Sequence, residues 1–295
     1  MNRRIHRPDA LPRLWQHESI CGGLRRVLLR CLERAERTMA DESRAAGERV
    51  HEARVALKRA RAVLRIGDVY GFAWTKLARL RLARLAGALA AARDAAVVAA
   101  TAQHLGLATE TKAADAGISW VSWVENLTAE QQRLADCPWP VLTRNDCVAA
   151  LAESVCRLRR RERAARRGAA ARRLHEWRKT VIVLREQLNV LRPLLTPGQQ
   201  TYAPRLHRLA RKLGAAQDLA LLIAAERSRE PSAARSLLLV RAIVERGEMV
   251  RRVRRLARGL PKALRRKFAV SDRATYFVSA KASMPTQEQM RLRSP

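Results

Sequence analysis

His51, Arg54, Lys58, Arg61 and Arg65 follow one another at intervals that return to the same side of an α-helix. With a turn of about 100° per residue they share an arc of roughly 80°. Val50, Ala53, Ala56, Leu57, Ala60, Val63 and Leu64 fill the other side, which reads as the packing face. Four cations and an imidazole therefore lie beside a core. Guanidinium forks and an ammonium pair well with phosphate oxygens, and an imidazole adds a donor that gains charge beside an anion. Like charges three or four residues apart repel by a few tenths of a kcal/mol per pair, roughly. A stripe with no acid in it costs stability unless an anion lies across it. A single arginine stripe is usually only a solvated helix face, so what matters is whether this one recurs.

It does recur. His51-Glu52-Ala53-Arg54 returns as His175-Glu176-Trp177-Arg178, and without a gap 15 of the 46 positions from 51 to 96 match those from 175 to 220. Arg61 meets Arg185, and the spacing from His51 to Asp94 equals that from His175 to Asp218. In the second copy His175, Arg178, Arg185 and Asn189 share the arc, with Ile182 where the first has Lys58 and Lys179 just outside. Gln217 stands where Arg93 stands in the first copy. Further stripes are Arg81 with Arg84, and Arg205 with Arg208 and Lys212. Asp94 and Asp218 come too late on their helices to be caps. They are expected to hold an arginine of the site or to orient a histidine. Glu52 and Glu176 read as surface or pairing carboxylates, not as a catalytic pair.

The elements that must carry these stripes are helices. Aromatic residues are only 4%, Gly (13) and Pro (11) are few, and Ala, Leu and Arg dominate. Helices are expected at 19–45, 48–66, 74–105 with a break near Arg93, 121–134, 145–167, 169–191, 199–227, 232–259 and 261–268. Pro138-Trp139-Pro140 marks a seam, because prolines stop a helix. The expected fold class is all-α: two pseudo-symmetric antiparallel helical bundles, a duplicated unit, around a basic central groove. Residues 1–17 and 271–295 read as tails, 18–270 as the domain, with halves at about 18–136 and 141–270.

The 295 residues carry 59 Lys and Arg against 27 Asp and Glu, a net charge of +32. That balance points to a polyanionic partner. No signal peptide and no apolar run near the ~20 residues of a membrane span is visible, so no membrane insertion and a cytoplasmic setting are expected. Five cysteines lack C-x-x-C spacing, and Cys147 and Cys156 read as small core residues. There is no H-E-x-x-H, no phosphate loop, no dinucleotide fingerprint and no acidic cluster for magnesium. Neither catalysis nor a cofactor is expected.

The segments H-E-A-R-V-A-L-K-R-A-R-A-V-L-R at 51–65 and A-A-A-R-D-A-A-V-V at 90–98 resemble the first half of a CHAD domain, the conserved histidine α-helical domain. L-H-E-W-R-K at 174–179 and L-G-A-A-Q-D-L-A-L-L at 213–222 resemble its second half. The resemblance covers roughly 18–270. It implies two helical bundles around a basic surface that binds inorganic polyphosphate, and an association with polyphosphate granules. Carried over by position, it implies ligand contacts from His51, Arg54, Lys58 and Arg61, from His175, Arg178 and Arg185, and from Arg81, Arg84, Arg205 and Arg208. Arg65, Lys179 and Lys212 join them through the stripes. Ile182 and Gln217 depart from the first copy and imply a weaker second half.

Two other basic runs, Arg157–Arg173 and Arg251–Lys267, each hold nine basic residues. They read equally as solvated faces or as contacts for a polyanion. The leading expectation is a non-enzymatic polyphosphate-binding module for granule attachment or scaffolding. The alternatives are an RNA or DNA phosphate-backbone binder, and an accessory subunit of a polyphosphate-processing enzyme. The six tryptophans do not interleave with the basic stripes, and Trp177 should pack inward, which disfavours base stacking.

Overall fold

A computed structural model describes residues 12–68, 71–106, 119–139, 141–168, 170–228 and 232–269. Its helices are α1 (Ile20–Ala40), α2 (Ala46–Gly67), α3 (Ala73–Ala88), α4 (Ala90–His104), α5 (Trp120–Asp136), α6 (Arg144–Arg166), α7 (Ala171–Val190), α8 (Pro197–Gln200), α9 (Tyr202–Arg227), α10 (Ala233–Ala257) and α11 (Leu260–Lys267). No strand occurs among the described residues. Local chemistry explains several starts. Ser19 caps α1 by accepting from the Gly22 amide, and Thr143 and Asp146 form a reciprocal capping box at α6.

The duplication is visible in the packing. α1 lies on α2 as α6 lies on α7, and the two central helices α2 and α7 pack against each other. Their interior faces carry Leu57, Val63, Leu64, Val181, Leu184 and Leu188, which join one core running through both halves. Burying each Leu is worth roughly 1.5–3 kcal/mol. Trp177 is buried there too, as its place on the helix requires. Polar links also cross between the central helices: Arg59 pairs with Glu186 at 3.5 Å, both side chains 3% exposed, and the Gln187 amide donates to the Ala62 carbonyl at 3.4 Å.

The halves differ at one place that matters for the site. The expected break in 74–105 falls at Leu89 rather than at Arg93, and α3 and α4 meet at a 48° bend. A helix end leaves its last carbonyls without helical partners. Here Trp123 Nε1 donates to the Leu85 carbonyl at 2.9 Å, and Arg54 donates to that of Ala86. The equivalent helix α9 runs unbroken through Leu213 and Gly214. A second, smaller core of Val98, Ala102, Leu219, Leu222, Ile223, Leu238 and Ala242 joins α4, α9 and α10.

Other expectations shift in detail. Of the expected tail 1–17, residues 12–17 are described and pack onto the domain. Leu14 is buried and its amide donates to the Val190 carbonyl at 3.0 Å, while Arg26 lies 3.6 Å over the Trp15 ring. Cys147 is buried as expected, but Cys156 is exposed, because its position on α6 points away from the face that carries Val155 and Leu158. The expected tail 271–295 lies outside the described residues. Among the described residues no single helix is long and apolar enough to cross a membrane, although the bent pair α3–α4 taken together has that length and composition.

Candidate functional site

The packing of α2 on α7 brings the two histidine-marked stripes together. Arg54, Lys58, Arg61 and Arg65 on α2 are half-buried, as are His175, Arg178 and Arg185 on α7. Lys58 shows the crowding most clearly. Burial, followed by the positive charges of Arg178, Arg54, Arg93 and Arg185, pushes its ammonium down to about 8. Burial also lowers Arg54, Arg61 and Arg178, and takes Arg65 down to about 10 with Arg79 and Arg157 contributing. The His175 imidazole is lowered by burial and then by Lys179, and its Nδ1 is buried with no hydrogen-bond partner. The site is thus a partly desolvated set of cations whose mutual repulsion an anion would relieve.

Each leading arginine has its own seat. The Arg54 guanidinium donates to the Ala86 carbonyl freed at the α3–α4 bend. Arg178 instead lies over Gly214, where an added Cβ would come within 3.1 Å of its Nη2. Arg185 is fixed by the buried carboxylate of Glu186, its Nε donating at 2.9 Å, and lies 3.4 Å from His207 Nδ1. Glu186 thus serves Arg59 on one side and Arg185 on the other.

Arg93 on α4 was not singled out as a ligand contact by its residue type or spacing, yet it stands in this cluster. Its Nη1 meets Asp94 at 2.8 Å and its Nη2 meets Asp218 at 2.8 Å. The repeated aspartates do hold an arginine, and the signal was the Arg-Asp dipeptide placed directly at the repeated aspartate. Arg79 and Arg157 likewise extend the α2 stripe. Arg79 pairs with Asp68 at 2.7 Å and Arg157 with Glu153, and the charge of both acts on Arg65.

The remaining predicted residues are placed differently. His51 is exposed at the start of the stripe. Arg81 turns to Glu130, a carboxylate buried to 1% exposure that also meets Arg133 at 3.4 Å. Lys179 is exposed and pairs with Glu176 at 2.8 Å, and Glu52 pairs with Arg34 at 2.8 Å. Arg84, Arg205 and Arg208 are exposed and Lys212 is half-buried, with Arg205 lying 5.5 Å over the Tyr202 ring. Ile182, in the place of Lys58, packs against the core instead of adding a cation.

The fold and the duplicated basic stripes define an all-α class of domain with a histidine-marked basic site. A model of the CHAD domain family matches residues 24–227, so the chain belongs to that family. Among solved structures, a CHAD domain from the plant Ricinus communis is similar, with a TM-score of 0.63 at 20% identity over 86% of this chain and 96% of that one. No curated protein matches the chain.

Proposed function

We propose that this protein binds inorganic polyphosphate without transforming it, as a granule-attached or scaffolding component. One observation carries the reading. Arg54 and Lys58 from α2, Arg178 and Arg185 from α7, and Arg93 from α4 share one half-buried site, where burial first and the neighbouring positive charges second bring Lys58 down to about 8. A flexible chain of phosphates with no base or sugar would need such cations and little else. The tryptophans support phosphate contact over base stacking: Trp123 and Trp177 are buried, and the exposed Trp15 has Arg26 stacked on its ring.

The test replaces Arg54, Arg61 and Arg178 with Ala and follows both helicity and polyphosphate binding. A folded triple variant should lose most of its affinity. Undiminished binding by that folded variant would place the ligand elsewhere. The wild-type affinity should fall steeply with salt, as counterions are displaced from each phosphate contact. A fluorescently tagged chain should gather on polyphosphate granules in cells and disperse when the polymer is depleted.

A further inference from the structure

We propose that Arg93 is a positioning residue that latches the two halves of the site together, and that this latch, as well as the number of cations, sets the affinity for polyphosphate. The inference rests on the reading just given. Its basis is a single guanidinium shared by two carboxylates. Arg93 Nη1 meets Asp94 and Nη2 meets Asp218, each at 2.8 Å, so one side chain of α4 joins the first half to α9 of the second. Asp94 and Asp218 occupy the same place in the repeat, whereas the repeat partner of Arg93 is Gln217, with its Oε1 buried and unpartnered. A second arginine there would add another desolvated cation to a cluster that already holds Arg54, Lys58 and Arg178. One arginine serves two equivalent acids, and the bend at Leu89 lets α4 reach α9.

The aspartates are otherwise hard to explain. Two carboxylates in a site for a polyanion repel the ligand. Each, however, is held by Arg93, and its charge is felt by the leading arginine of its own half: Asp94 favours the charged form of Arg54, and Asp218 that of Arg178. Their repulsion is offset if they fix Arg93 in place and, through their charge, favour the neighbouring Arg54 and Arg178 in the arrangement that phosphates meet. Arg93 at 19% side-chain exposure is already held, so little of its rotamer freedom remains to be lost on binding.

The sign of one substitution separates this from simple electrostatics. Asp218→Asn removes a negative charge from a cationic site, so charge alone predicts tighter binding, whereas the latch predicts weaker binding. Arg93→Lys keeps the charge but replaces the two separate donors Nη1 and Nη2 with one ammonium on a shorter side chain, and should also weaken binding with the salt dependence unchanged. We expect each to lose about tenfold in affinity for long-chain polyphosphate. The Arg93→Gln/Asp218→Asn double variant should be no weaker than the weaker single. Circular dichroism confirms folding, and should Arg93→Gln not fold, Arg93→Lys and Asp218→Asn decide the matter. Equal or tighter binding by Asp218→Asn, wild-type affinity in Arg93→Lys, or additive losses in the double variant would overturn the latch. The same variants are titrated with an RNA of matched charge. Wild-type preference for RNA would overturn the polyphosphate reading alone, because the sign for Asp218→Asn on RNA still tests the latch. Wild-type binding to neither would overturn both.

Discussion

Arg54 and Arg178 hold the same place in the two copies of the repeat, yet they are seated by opposite means: Arg54 on the Ala86 carbonyl at a broken helix, Arg178 over Gly214 in an unbroken one. A helix break frees a carbonyl acceptor, while a glycine frees space. Each solution presents one guanidinium to the same central site.

Gly214→Ala should therefore separate stability from binding. Alanine favours a helix interior over glycine by up to about 1 kcal/mol. The new methyl would press on the far end of Arg178, which can shift. The melting temperature should hold or rise slightly, while polyphosphate binding weakens by about 1 kcal/mol, roughly fivefold. Thermal melts and titrations on the same sample check both.

Lys58 should make binding depend on pH. Burial and then Arg178 bring its folded value from 10.5 to about 8. Between these values the unfolded chain holds more protons than the folded one. The penalty on the free fold is thus fully present below about pH 8 and is relieved as pH rises from about 8 to 10.5. Phosphate favours the charged form, so binding should weaken as pH passes 8, with proton uptake on binding near pH 8.5. Calorimetry in buffers of different ionisation enthalpy measures that uptake. Lys58→Met should remove it and reduce the salt slope by about one.

Arg81 tests which stripes matter. Its carboxylate partner Glu130 is buried, so Arg81→Ala leaves that charge with only Arg133 at 3.4 Å. Breaking such a pair costs about 3 kcal/mol. A chemical denaturation curve should show this loss with polyphosphate affinity nearly unchanged. A large loss of affinity with intact stability would return Arg81 to the binding surface.

Glu186→Gln should cost both stability and affinity. The buried carboxylate holds Arg59, itself 3% exposed, and fixes Arg185. Loss of the charge should destabilise the fold by about 3 kcal/mol. Restoring stability with an osmolyte should leave binding impaired, because Arg185 still lacks its anchor.

How much of this was legible in the sequence follows from what each feature depends on. The helices, the proline seam and the duplication rest on periodicity and on rare residues at fixed spacing, and α2 and α7 lie within two residues of their expected bounds at each end. The half-buried positions of Arg54, Lys58 and Arg178 followed from their place beside the apolar face. The break at Leu89 did not, because no proline marks it and a lone Gly87 does not by itself stop a helix; Trp123 and Arg54, distant in sequence, satisfy the carbonyls it frees. Nor could spacing along one helix show that Arg81 turns to Glu130, 49 residues away in sequence, or that Arg93 crosses to Asp218. Stripes describe one helix; partners across helices decide which of their cations are spent on the fold.

The central claim is a preference for phosphate chains, and competition tests it most directly. Polyphosphate of defined length is titrated against labelled RNA of matched charge bound to the wild-type chain, at several salt concentrations. The account predicts that polyphosphate displaces the RNA at well below equal charge concentration, and that the folded Arg54, Arg61 and Arg178 alanine variant loses this advantage. Equal affinity of the two polymers at matched charge would contradict it.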